Sequence, residues 1–511
     1  MFSKTTSTRS NLISNFAGRI VIALAGILFV PAYLHYLGVE VYGIIGFFVG
    51  IQSILALLDL GISPTLTREI ARLSAFPDKE NEMHDLSRTL AVLCWAAAAI
   101  MCLIGFGLAP LVAYYWLRPE TTPPGTVLQA LLLMSITFAF QWTANFYSGG
   151  LTGLQRQKLY NLINCAGVVF RSAGSVFVLA FVSATVQAFL IWQAAATLLL
   201  LTAMAAAFRK CLPPSESRPK FRRELLQGVW TYAAGMTGIS IVSLILTQTD
   251  KIILSRLLTL ENFGYYTLTA TLTATAIGAI TASIVTAYFP QFSQLAARED
   301  DAGLRFIYHR SSQVMSFFLI PVTVITAVFS FEILLLWTRN EKIAENSWLL
   351  LTLLAIGTGL NGTMHLPYAM QLANGLTKLA FWQNVVAIIF LIPFMFFAAM
   401  RFGAVGGAVT WVILNLLYVL VGMQLMHRIL LKGELKKWYM EDLGLPLAAS
   451  LAGTLAFRYL FPHIVAPLNI FVALGSVTIF VFLCSAMATA QIRSLVFARV
   501  NTLLGSVIYH K

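Results

Sequence analysis

Apolar stretches of about twenty residues recur fourteen times along this chain of 511 residues, and that spacing leaves few folds open. Each stretch can cross a hydrocarbon layer of ~30 Å as a helix, which satisfies its own backbone hydrogen bonds where water is absent. The spacing predicts spans near 12–34, 41–63, 89–117, 126–150, 159–182 and 185–208. Further spans are predicted near 230–257, 264–289, 311–337, 346–373, 377–400, 404–427, 443–461 and 467–490. Composition agrees, since 58% of residues are hydrophobic and 11% charged, against roughly 25% charged in soluble domains. Outer-membrane barrels use alternating strands of about ten residues, so long helical spans point to an inner membrane.

The basic residues orient the chain. With the N-terminus inside, the cytoplasmic segments carry 25 Lys and Arg and the outside loops carry 7. That bias in short loops places both termini in the cytoplasm. The net charge of +13 is thereby explained by topology and anionic lipid headgroups, without a nucleic-acid partner. Lys4 and Arg9 before an apolar run resemble a signal peptide, but the run is too long and reads as span one. The five cysteines are scattered without metal-ligand spacing and read as apolar filler; no metal or cofactor is expected.

The first half of the chain is repeated in the second at an offset of about 220 residues. Leu37-Gly38-Val39-Glu40-Val41-Tyr42-Gly43 falls over Leu258-Thr259-Leu260-Glu261-Asn262-Phe263-Gly264. The run from Pro64 to Arg72 falls over that from Pro290 to Arg298, and Lys158, Leu159 and Asn164 fall over Lys378, Leu379 and Asn384. Six spans per copy is an even number, so both copies enter from the cytoplasm as parallel repeats, and a transport pathway is expected between them. The expected organisation is a six-helix bundle over 1–208, a Pro-rich, basic and flexible cytoplasmic linker over 209–224, and a second bundle over 225–430. Residues 431–511 add a helix pair and a cytoplasmic tail. Segments 64–88 and 290–310 read as amphipathic helices on the membrane, with Ser63 as N-cap before Pro64. Glu40 and Glu261 are expected to favour the positive ends of the spans they precede.

An ionisable residue at span depth costs roughly 2.5–3.5 kcal/mol on insertion scales, so each calls for a reason. Arg171 lies 13 residues after Lys158 in span five, near the bilayer midplane, where it cannot easily snorkel out. It is either paired with a buried carboxylate or carbonyls, or a cation facing a water-filled cavity. Arg19 lies two turns into span one. Asp250 and Lys251 are adjacent in span seven and point about 100° apart, so one can face the pathway, with Asp250 the candidate coupling residue. Asp59 is expected to pair with Arg68, and Glu332 and Arg339 to be interfacial. Gln141 and Asn145, four apart in span four, have counterparts in Asn361 and His365 in span ten; they either line a cavity or bond helix to helix. The chain shows no catalytic set and no phosphate-binding loop, so it is not read as an enzyme. Glu299-Asp300-Asp301 reads as a solvated turn.

Three stretches, Leu37 to Gly43, Leu58-Asp59-Leu60-Gly61-Ile62 and Arg68-Glu69-Ile70-Ala71-Arg72, resemble the start of Wzx-type polysaccharide flippases. Thr249-Asp250-Lys251-Ile252-Ile253-Leu254, followed by Phe263-Gly264-Tyr265-Tyr266, resembles the start of that family's second half. The resemblance covers roughly residues 10–430 and marks a superfamily shared with drug/cation exporters and the peptidoglycan-precursor flippase. It implies an all-α polytopic fold of two pseudo-symmetric, MATE-like six-helix bundles plus two C-terminal helices. It also implies movement of a lipid-linked oligosaccharide, such as an O-antigen unit, from the cytoplasmic to the periplasmic leaflet, alongside membrane lipids and polysaccharide polymerase machinery. A diphosphate headgroup calls for positive charge at depth, which Arg171, with Arg19 and Lys251, would supply. The rival of the same fold, a multidrug or cation exporter, would be expected to have twelve spans and an acidic cavity. A polymerase or ligase would need a substantial outside loop, and none has room.

Overall fold

Glycine and the left-handed backbone region decide where this helical chain turns. The computed structural model describes residues 18, 20–57, 62–74, 76, 79–214, 219–222, 245, 247–461 and 466–494. Among the described residues every regular element is a helix. In chain order these are α1 (Val30–Leu57), α2 (Ile62–Leu73), α3 (Glu80–Leu111), α4 (Pro124–Gly153), α5 (Gln157–Phe181), α6 (Val186–Cys211) and α7 (Leu260–Ala297). They continue with α8 (Asp301–Val328), α9 (Ser330–Thr338), α10 (Glu341–Ala373), α11 (Thr377–Leu417), α12 (Met423–Ile429), α13 (Leu445–Leu460) and α14 (Pro467–Ala488). A further helical segment covers 247–257. The chain divides into two units, residues 1–267 and 268–511.

Among the described residues eleven helices are long and apolar enough to cross a membrane. One of them, Phe381–Ile429, has 49 residues, or ~74 Å of helix, more than twice a ~30 Å hydrocarbon layer. Gly403 (φ 58°, ψ −137°) breaks it, and a side chain at Gly406 would strike the carbonyl of Ala398. The chain therefore reverses there, between the expected spans eleven and twelve. Gly38 (φ 79°, ψ 171°) breaks α1 in the same way between spans one and two. That region of backbone space is open essentially to glycine alone. The start of span one and most of span seven lie outside the described residues, as does Asp59.

The repeat is visible in local geometry. Helix α4 ends at Gly153 and α5 begins at Gln157; α10 ends at Ala373 and α11 begins at Thr377. Both ends are displaced by the offset of the sequence repeat. The corner residues Gln155 (φ 56°) and Gly375 (φ 72°) are both left-handed. In both corners an amide closes the helix end on a carbonyl five residues back, Arg156 on Leu151 and Leu376 on Gln371, each at 2.9 Å.

In the first unit the core lies where α2, α3, α4 and α6 meet, around Leu66, Ile70, Leu86, Phe146, Leu151, Met204 and Phe208. Helix α2 is amphipathic, with Leu66, Ile70 and Leu73 turned inward, but it ends at Leu73, and residues 80–88 of the expected surface segment instead open α3, which is long and apolar enough to cross a membrane. Helix α2 starts at Ile62, so Ser63 sits inside the first turn rather than at the cap. Gly149 and Gly153, four apart on α4, let it approach closely: side chains there would press on the Ser63 and Thr67 carbonyls. Segment 290–310 departs from expectation, because α7 runs unbroken through Pro290 to Ala297. The polar turn that follows has Glu299 left-handed, and the Asp300 side chain caps α8 by accepting from the Gly303 amide at 2.8 Å. Glu40, two residues after the Gly38 break, also makes contacts beyond its own helix. Its carboxylate accepts from the backbone amides of Glu120, Thr121 and Thr122, with Glu120 at 2.8 Å, and so holds the loop before α4.

The described part of the linker is docked on α3 rather than free. Asp85, buried, accepts from the Lys220 amide at 2.7 Å and pairs with Arg222 Nε at 2.7 Å. The Arg222 amide donates to Thr89 Oγ1 at 3.0 Å.

In the second unit, α8 and α9 hold the appended pair by polar contacts at both ends. His309 presents Nδ1 to Asp442 Oδ2 at 2.5 Å and Nε2 to Glu434 Oε2 at 3.1 Å. Gln313 Nε2 donates to Asp442 Oδ1 at 3.0 Å, and the Gln491 amide donates to Gln313 Oε1 at 3.0 Å. At the other end Glu332, with its side chain 6% exposed, pairs with Arg458 of α13. Glu332 is thus a buried helix-to-helix partner. The Arg458 guanidinium also lies 5.3 Å from the centre of the Phe329 ring.

Candidate functional site

Helix α5 carries Arg171 and is fixed at that level from two sides. Gly174 lets it close on the Trp192 ring of α6. Trp192 Nε1 donates to the Arg171 carbonyl at 3.0 Å, and Ser175 Oγ donates to the same oxygen at 2.8 Å. From α1, the Tyr33 hydroxyl donates to the Ser172 carbonyl at 3.2 Å. The backbone beneath the guanidinium is thus held by three side chains of different elements, which fixes where the charge can reach.

The half-buried side chain of Arg171 reaches α4, where Nη1 donates to Gln141 Oε1 at 3.4 Å. Gln141 Nε2 in turn donates to Asn145 Oδ1 at 3.1 Å. Arg171, Gln141 and Asn145 therefore form one polar chain across α4 and α5. The guanidinium bond is longer than the ~2.7–3.2 Å of strong N–H···O bonds, and four of its five donors remain for another partner. Among the described residues Arg171 has no ion pair with a carboxylate. The buried-carboxylate alternative has no such partner there, and what surrounds the charge is neutral amide.

Asp250 and Lys251 have separate partners. Tyr266 of α7 donates its hydroxyl to Asp250 Oδ2 at 2.8 Å, while Asp250 Oδ1 is buried without a hydrogen bond among the described residues. Lys251 Nζ donates to Gln248 Oε1 at 3.0 Å, and its stem runs past Gly50 of α1. Arg19 lies outside the described residues. In the second unit Asn361 Nδ2 donates to Asn415 Oδ1 at 2.8 Å, binding α10 to α11. His365 is exposed and has no hydrogen bond among the described residues. The second copy thus uses one of its two predicted residues to join helices.

Sequence reasoning missed two further constellations. Residues Ser148 and Thr152 extend the Gln141–Asn145 face at helical spacing and, with Ser63, Thr67 and Tyr160, line a polar cavity of about 330 Å³. The spacing of four, three and four residues was a signal that could have found the α4 part. The His309–Asp442 contact spans 133 residues and has no local signature.

Residues 8–296 match the family described as polysaccharide biosynthesis protein. A Shigella flexneri protein provisionally named an O-antigen transporter is 22% identical over 406 residues, 78% of this chain and 93% of that protein. Among solved structures, the inward closed conformation of the lipid II flippase MurJ superposes with a TM-score of 0.70 at 15% identity. That match covers 96% of this chain and 100% of the flippase. An inward-facing multidrug resistance MATE family transporter of the MOP superfamily gives 0.65 at 14% identity, over 83% of this chain and 99% of its own. These two likenesses show a fold of the MOP transporter type. A match that spans more than half of the residues settles the family: this chain is a multi-span membrane protein belonging to the polysaccharide biosynthesis protein family.

Proposed function

We propose that this protein carries a polyprenyl-diphosphate-linked oligosaccharide, an O-antigen, capsule or exopolysaccharide repeat unit, from the cytoplasmic to the periplasmic leaflet. The relative provisionally named an O-antigen transporter and the fold shared with a lipid II flippase support this reading. The observation that carries it is the guanidinium of Arg171, which reaches the Gln141–Asn145 amide pair and has no carboxylate partner among the described residues; its distance from Lys158 in sequence is what a place near the midplane would require. A diphosphate fits the planar donor fork left over. The protein acts by alternating access, rocking the bundles 1–208 and 225–430 against each other while the polyprenyl tail stays in lipid. Lys251 and Arg19 assist with the headgroup, and Gln141, Asn145, Asn361 and His365 line the pathway. Asp250 serves coupling. The chain crosses the bacterial inner membrane fourteen times with both termini cytoplasmic, is not an enzyme, and delivers its product to a polymerase machinery.

The test measures folded protein and surface glycan side by side. Arg171→Ala should abolish export with membrane abundance near normal, and Arg171→Lys should retain part of it, having charge without the fork. Full export by abundant Arg171→Ala protein would reject the reading.

A further inference from the structure

We infer that the hydroxyl-lined cavity at the junction of α2, α4 and α5 is a carbohydrate subsite, taking the sugar moiety of the carried lipid on the cytoplasmic side of Arg171. The inference rests on the transport reading above and adds a location and a ligand chemistry to it. Ser63, Thr67, Asn145, Ser148, Thr152 and Tyr160 bring four hydroxyls, an amide and a phenol ring to a space of about 330 Å³, with no charged side chain in its lining. That volume is at the lower end of the ~300–1,000 Å³ of small-ligand pockets. A neutral lining of this kind does not match a diphosphate, which selects cationic donors. It matches a polyol, whose hydroxyls both donate and accept and whose C–H face packs on an aromatic ring.

The hydrogen bonds already made decide what is left to offer. Thr152 Oγ1 donates to the Ser148 carbonyl at 2.9 Å, Ser148 Oγ to the Asn145 carbonyl at 2.7 Å, and Thr67 Oγ1 to the Ser63 and Gly149 carbonyls at 2.9 Å. These three hydroxyl protons are committed to backbone, so their oxygens present acceptors. Asn145 accepts from Gln141 through Oδ1, which leaves its Nδ2 as a donor. The set is built to receive hydroxyl protons and to return one pair of N–H donors.

The cavity also belongs to one copy of the repeat. At the repeat register Ser63, Ser148 and Thr152 become Phe289, Tyr368 and Leu372, all three exposed, while Thr67 becomes Ser293 and Asn145 becomes His365. Generic membrane packing would leave similar surfaces in both copies. Thr67 and Ser293 do make the same hydroxyl bond to the carbonyl four residues back, but at Ser63, Ser148 and Thr152 one copy offers small hydroxyls where the other exposes bulky side chains. Along α4, Thr152 lies ~16 Å below Gln141 at the helical rise, so a headgroup at Arg171 would leave its sugars over this cavity.

The test uses accessible cysteines in the full chain with its five native cysteines replaced. Ser148→Cys and Thr152→Cys report on the cavity, and Gln141→Cys reports on the Arg171 level. Vesicles with the cytoplasmic face outward are prepared from hosts that accumulate polyprenyl phosphate alone, polyprenyl diphosphate with one sugar, or the complete repeat unit. A water-soluble maleimide is the probe, and free repeat-unit oligosaccharide is added to the first host as a separate arm. We expect labelling of both cavity cysteines to slow about tenfold with the complete unit, and not with polyprenyl phosphate. Slowing by the free oligosaccharide to the same extent would overturn the lipid-linked source. Equal labelling of both cavity cysteines in all hosts, with Gln141→Cys protected by the complete unit, would reject the subsite while leaving transport intact. Absence of protection at all three positions would reject the transport reading as well.

Discussion

Asp250 and Lys251 are neighbours in sequence, yet the fold gives the acid a tyrosine and the base a glutamine. Tyr266 donates to Asp250, so Asp250→Asn keeps an oxygen to accept that bond and changes charge alone. If Asp250 couples transport, this variant should reach normal folded levels and lose export; undiminished export would remove the coupling role. Asp442 poses a different case. Its side chain is 0% exposed and receives both His309 and Gln313. Asp442→Ala strands two buried polar groups, and breaking such a pair costs about 3–5 kcal/mol. A lower thermal midpoint in detergent, with little change on replacing exposed Glu441, is the expected result. The contrast explains what the sequence disclosed at this scale. Arg171 was singled out by its distance from Lys158, and the contact of Gln141 with Asn145 was legible because residues four apart share a helix face. The partners Tyr33 and Trp192, and the His309–Asp442 contact, join distant positions and leave no periodicity to read.

The matched corners Gln155 and Gly375 make a cheap test between elements. A non-glycine residue in the left-handed region costs roughly 1–2 kcal/mol, so Gln155→Gly should stabilise the first unit by up to ~1 kcal/mol, read as a raised thermal midpoint. No gain would mean that the Gln155 side chain is worth as much as the strain. The opposite change is expected at Gly153, where a side chain would meet the Thr67 carbonyl and Ile70. Gly153→Val should lift α2 from α4 and cost about 1–3 kcal/mol, as overpacking does. Span existence was legible from hydropathy, and the reversals at Gly38 and Gly403 fall where the expected spans end. The unbroken α7 was not. Residues 290–297 carry the polarity of a surface helix, but Phe292 is drawn into the core and keeps the helix continuous.

For the whole chain, fourteen spans with cytoplasmic ends predict that a cysteine in 209–223 labels only from inside and one in 338–345 only from outside. Labelling of both from one side would overturn the topology. The linker read as flexible from its prolines and charges, whereas Asp85 binds its described residues 220 and 222 to α3; composition could not reveal a buried acceptor 135 residues away. The C-terminal pair is likewise more than an appendage, since His309, Gln313 and Glu332 all take partners from residues beyond 430. Within the first unit one further contact bears on the duplication itself. A side chain at Gly43 would strike the Leu260 carbonyl, and one at Gly264 the Val39 carbonyl. Val39 and Leu260, like Gly43 and Gly264, are register partners of the repeat, so the contact is reciprocal, as at a two-fold axis. Such a seam sets a rule for chimaeras: a first half grafted onto a relative's second half must meet a glycine at the position of Gly264. A graft that brings valine there would express both halves and fail at their crossing, however well each half folds.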